Sequence, residues 1–271
     1  MAELALAYSP PPCPALDAIL AHDEHSLPCT DDQPMPDVRA QEGPLGYSRD
    51  AIRRHLRPLR DRVAVDSDLF VYYVGRDRRG QPVRASVAPD VFVVFGVPDR
   101  EDRRSYVLWR EPDADIRFVL EIASESTRTR DHTAKRDVYA SLGVREYFLF
   151  DPPGSGRPAA LMGLCLRDGT YRGIPPVELP DGRPGTPSAV TGLVAHIEDS
   201  RLRWFDPVAG VDLLTYDESM DRGEAAERER AAAERARAVT ARTLEAEARA
   251  RQRAEARVAE LEARLRASDR T

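Results

Sequence analysis

A chain of 271 residues with 42% hydrophobic side chains and a formal charge of −6 has room for one large folded domain plus extensions. Residues 217–271 carry 13 acids and 13 arginines, so the whole net charge belongs to residues 1–216, with 27 basic and 33 acidic side chains. That balance argues against a protein that coats nucleic acid through its global field, and no apolar run approaches the roughly 20 residues needed to cross a bilayer.

Residues 1–46 hold eight of the 22 prolines and read as an irregular arm. The start is acidic and proline-broken, unlike a secretory signal, and Cys13, Cys29 and Cys165 are odd in number and far apart. Both features point to a reducing cytoplasm. His22-Asp-Glu-His25 with Cys29 has no second ligand pair at finger or ribbon spacing, so zinc is not expected.

The next 170 residues, 47–216, read as the folded domain. A short helix is expected from about Arg49, with Ser48 as N-cap, Ile52, Leu56 and Leu59 on its buried face, and Pro58 ending it. Six arginines fall within Arg49–Arg62, among them Arg53, Arg54 and Arg57. They form either a phosphate-tracking patch or a solvated helix face. Strand-like runs at 62–65, 68–74 and 82–87 suggest a β-meander. Val91–Phe95 is apolar on both faces, as a central strand is. Residues 98–115 form a polar excursion around Trp109. Residues 117–122 alternate, with Phe118, Leu120 and Ile122 on one face and Arg117, Val119 and Glu121 on the other.

A helix is predicted over 128–142, stopped by Gly143 at its C′ position. Asp131, Lys135, Val138, Tyr139 and Leu142 share one stripe of it, so Lys135 projects from the face that packs on the sheet. Residues 144–150 form another buried strand. Hairpins follow at 161–174 and 194–205, the first turning at Asp168-Gly169. Residues 217–268 are almost all Ala, Arg and Glu and read as one long helix. Its sparse apolar heptad, Leu244, Val258, Leu261 and Leu265, suits either a weak coiled coil or a solvated helix held by Glu–Arg pairs.

Of 40 basic side chains only Lys135 is lysine, 14 residues after Glu121 and 45 after Asp90 of a Pro-Asp pair. Lysine is a compact charge with a tunable pKa, which arginine is not. Two carboxylates can hold a divalent ion, and a nearby ammonium can stabilise phosphate charge. If the strands of Asp90 and Glu121 are neighbours, the two carboxylates converge, and the following helix returns Lys135 to the same spot. Each residue also has a plain structural role open to it: a turn acid, a sheet acid and an Asp131–Lys135 pair.

The stretch Ala88-Pro-Asp-Val-Phe-Val-Val, then Phe118-Val-Leu-Glu-Ile-Ala-Ser, then Asp131…Lys135…Tyr139…Gly143-Val-Arg-Glu-Tyr-Phe-Leu-Phe-Asp151, resembles the Uma-type family of restriction endonucleases within the PD-(D/E)XK superfamily. The arm from Leu27 and the charged tail are similar to a branch of that family with coiled-coil extensions. The resemblance implies an α/β (α+β), restriction-endonuclease-like core with a mixed central sheet flanked by helices. It further implies an Mg²⁺-dependent (or Mn²⁺-dependent) DNase site with Asp90 and Glu121 as metal ligands. The usual lysine two residues after the acid is absent, because Ala123 stands there; its role shifts to Lys135. Asp68 and Asp131 are accessory candidates, and Arg53, Arg54, Arg57, Arg128 and Arg130 are candidate nucleic-acid contacts. DNA is the expected partner, with either a dimer or another helical partner engaged through residues 217–271. The alternative is an inactive nuclease-fold assembly module that works through its tail.

Overall fold

The computed structural model describes residues 38–123, 131–154 and 156–268. The arm's His22–His25 segment and Arg128 and Arg130 lie outside the described residues, as does the side chain of Asp131. The chain divides between Leu213 and Leu214 into two compact units.

The first helix, α1 (Val38–Leu56), begins well before the predicted Ser48 cap and tolerates Pro44 inside it. Ser48 lies within the helix, fully buried, and accepts a hydrogen bond from Trp204 Nε1 at 3.0 Å. A buried indole N–H needs such a partner, which is why a small hydroxyl stands at this point. Ala51, Ile52 and Leu56 carry the buried stripe, and a 3₁₀ turn at Arg57–Leu59 follows where Pro58 ends the α-helix.

Six strands build the central sheet, in the order β1 (Val63–Asp66), β4 (Val91–Phe95), β6 (Asp115–Ile122), β7 (Glu146–Asp151), β8 (Ala160–Arg167) and β9 (Thr170–Gly173). Only the β6–β7 pair is parallel, and helix α2 (Asp131–Ser141) connects it. The sheet is therefore mixed, as expected. One face of it buries Val91, Val93, Phe118, Leu120, Ile122 and Phe148 against α1 and Trp204. Trp204 belongs to a second, wholly antiparallel sheet of β10 (Val177–Glu178), β11 (Pro184–Pro187), β12 (Val194–Glu198), β13 (Arg201–Asp206) and β14 (Val211–Asp212). The other face buries Phe92, Val94 and Val119 with Tyr139 of α2 and Tyr147.

Two expectations needed correction. The runs at 62–87 are not one meander: β1 joins the central sheet, whereas β2 (Phe70–Arg76) and β3 (Pro82–Val87) form a small sheet of their own. Asp68, in the left-handed region at φ 54°, turns the chain between them. The polar excursion contains β5 (Ser105–Val107), parallel to β2. Its Tyr106 is fully buried, donates to Asp66 Oδ2 at 2.6 Å and packs edge-on against Phe92.

The second unit holds α3 (Tyr216–Ser268), a single helix of 53 residues. A capping box starts it: Thr215 Oγ1 accepts from the Glu218 amide, and Glu218 Oε2 accepts from the Thr215 amide at 2.8 Å. Glu224–Arg228, Glu245–Arg249 and Arg251–Glu255 pair one turn apart along it.

Candidate active site

Asp90 and Glu121 face each other because of sheet register. β4 and β6 run antiparallel with Val91 opposite Leu120, so the next position on each strand, Asp90 and Glu121, lies across the same ladder. Side chains directly opposite in such a pair project from one face. Glu121 shares that face with Val119, as the alternation predicts, and is 3% exposed. Asp90 Oδ2 accepts the Ile122 amide at 2.6 Å, so this carboxylate prolongs the backbone ladder where β4 has begun.

Helix α2 then delivers two donors to Glu121. Lys135 Nζ lies 2.7 Å from Oε2 and 3.4 Å from the Ala88 carbonyl. One turn further, the Tyr139 hydroxyl donates to Oε1. Both contacts follow from helical phase, since positions four apart stack on one face. Gly143 closes the helix at φ 75°, with Val144 N bonded to the Tyr139 carbonyl at 3.0 Å and Gly143 N to that of Ala140 at 3.1 Å. These two bonds are a Schellman motif.

The electrostatics follow from burying two acids together. Burial pushes the Asp90 carboxyl up to about 7, with the Glu121 charge adding, and Lys135 and the Ile122 amide pulling back. Burial likewise raises Glu121, against the pull of Lys135 and Tyr139. Burial and the Glu121 charge hold the Tyr139 phenol neutral, so it remains a donor. Asp68 binds its own amide to the Pro89 carbonyl at 3.0 Å, next to Asp90. Its residue surface is exposed, yet enclosure of the carboxyl and the Asp90 charge push it up to about 6, against the pull of Arg49 and Lys135.

The structure thus brings together Asp90, Glu121 and Lys135, with Asp68 at the margin. It spends Arg53 elsewhere: the guanidinium forks onto Asp99 at 2.8 and 2.6 Å and sits 4.0 Å from Asp66. Arg54 is exposed on α1, and Arg57 is exposed on the 3₁₀ turn that follows it. The arginine of that cluster electrically coupled to the site is Arg49, which reaches Ser67 Oγ at 3.4 Å and lowers the Asp68 carboxyl. Arg49 and Tyr139 were not among the expected site residues. Tyr139 stands four residues from Lys135 on the same stripe, a spacing that a core aromatic would share.

Among the described residues no group of three or more His, Cys, Asp or Glu side chains could hold a metal ion. A two-carboxylate set remains suitable for Mg²⁺, which keeps several waters and takes one or two carboxylates plus substrate phosphate. Buried Glu121 and half-buried Asp90, both with raised pKa values, are the donor chemistry that a divalent cation would relieve.

A mixed sheet with two acids on adjoining strands, and a lysine on the helix that crosses to the next strand, defines a restriction-endonuclease-like α/β protein. The family model Uma2, described as "Putative restriction endonuclease", matches residues 43–197, more than half of the chain, and the chain belongs to that family. Among solved structures it is similar to a "putative nuclease belonging to DUF820" from Anabaena variabilis, at 16% identity and a TM-score of 0.37, over 55% of this chain and 76% of that one. No curated protein matches. No helix among the described residues is long and apolar enough to cross a membrane.

Proposed function

We propose that the chain is a divalent-metal-dependent endonuclease that hydrolyses DNA phosphodiesters. The observation that carries this reading is the 2.7 Å contact of the lone lysine with the buried Glu121, across the ladder from Asp90. Asp90 and Glu121 would hold Mg²⁺, or Mn²⁺ in its place. When bound, the ion supplies Lewis-acid polarisation of the phosphate and a more acidic water. Lys135 is half-buried, 2.7 Å from Glu121 and electrically coupled to Asp90, so its ammonium can orient the attacking water and compensate charge on the phosphate oxygens. Asp68 can accept a proton near neutral pH, as an accessory acid. Burial of Glu121 under Tyr139 keeps water from competing for the acid pair.

The test is nicking of supercoiled plasmid with Mg²⁺ or Mn²⁺. Wild type is expected to nick it, with Lys135→Ala and Glu121→Ala slower by about 100-fold or more. Equal trace rates in all three would remove the enzyme reading.

A second reading, a nuclease-fold binding or assembly module, draws on the net negative body and on Arg53 being committed to Asp99. It predicts tight metal binding or none, and no nicking in either case.

A further inference from the structure

The two oxygens of Glu121 are gripped unequally. Tyr139, on Oε1, is 1% exposed, and its ring is the first of a stack of three. Its centroid lies 5.5 Å from that of Tyr147, which lies 5.8 Å from that of Tyr171. Tyr171 is pinned by its hydroxyl to the Val144 carbonyl at 2.7 Å. The Tyr139 backbone is pinned too, by the Schellman bond from the Val144 amide. This phenol has nowhere to retreat. Lys135, on Oε2, is a rotatable ammonium on a flexible stem, 31% exposed and with the Ala88 carbonyl as a second acceptor.

Resting on the metal-dependent reading above, we propose that Tyr139 is a positioning residue that makes Glu121 a one-oxygen ligand and so favours Mg²⁺ over Ca²⁺. Lys135 would release Oε2 to a bound cation, because that grip yields. Oε1 stays with the phenol, because that grip does not. One oxygen suffices for a small octahedral ion that retains its waters. Ca²⁺ takes six to eight oxygens and commonly gains from a bidentate carboxylate, which the phenol denies it.

The experiment is calorimetric titration of the full chain with MgCl₂ and with CaCl₂, without nucleic acid. Phenylalanine at 139 keeps the ring stack and frees Oε1. The ratio of Ca²⁺ to Mg²⁺ dissociation constants should fall about tenfold in Tyr139→Phe. It should stay put in Tyr147→Phe, whose hydroxyl has no hydrogen-bond partner among the described residues. Lys135→Met should tighten both ions and leave the ratio unchanged, an arm that stands even if Tyr139→Phe folds poorly. An unchanged ratio in Tyr139→Phe, an equal shift in Tyr147→Phe, or a changed ratio in Lys135→Met overturns the inference while leaving metal binding in place. Wild type that takes up neither ion overturns the underlying reading instead.

Discussion

Asp90 is the side chain at which function works against stability. Burial and the Glu121 charge push its carboxyl up to about 7, against about 3.9 for a free aspartate. The folded state therefore holds the proton more tightly than the unfolded chain. The resulting stabilisation is full below about pH 4 and is lost as the pH rises through 7; above that, a buried charge is a standing cost. Asp90→Asn keeps an oxygen for the Ile122 amide and removes the charge. With metal chelated, it should be more stable than wild type by on the order of 1–2 kcal/mol at pH 8, and the gap should close by pH 4. Urea denaturation at the two pH values measures this, and a wild type that is the more stable at pH 8 would contradict it. Legibility at this scale was uneven. Asp90, Glu121 and Lys135 could be read from a Pro-Asp pair, an alternating strand and a helical phase. Tyr139 could not be told from a core aromatic, because the hydroxyl's partner is 18 residues away. Arg53 read as free charge because Asp99, which neutralises it, lies 46 residues on.

At the scale of elements, α2 holds the site's donors, and Gly143 fixes where its last turn ends. A Cβ at Gly143 would meet nothing within 4 Å, so the residue is required by its backbone angle and not by space. Gly143→Ala should cost about 1 kcal/mol, seen as a lower denaturation midpoint, and Gly143→Asn less, since asparagine adopts this angle more readily. Equal stability of all three would show that the turn is not limiting. This stop was legible because glycine after an apolar stripe has a local cause. β4 and the two hairpins were legible for the same reason. β5 was not: three residues among charges carry no period, and only burial of Tyr106 against Phe92 and Asp66 makes them a strand. The start of α1 was also hidden, because what holds Ser48 is an indole 156 residues away.

At the scale of the whole molecule, the division after Leu213 separates a packed body from a helix of about 80 Å. Its one-turn ion pairs contribute only about 0.3–0.5 kcal/mol each, and Val239, Leu244 and Val258 remain exposed along it. We propose that a second copy of the chain pairs along this exposed helix. A chain shortened to end at Leu213 should sediment at a lower oligomeric order than the full chain while binding divalent ions equally well. The same order in both would remove the tail from the assembly.

The bond from Asp90 to the Ile122 amide has a further consequence. That nitrogen belongs to the peptide unit joining Glu121 to Ile122, so one acid holds the plane from which the other hangs. Peptide planes are stiff. The acid pair is thus tied directly to the β6 backbone. A slip of register between β4 and β6 would break that tie and part the two carboxylates, whatever the side chains that grip Glu121 do.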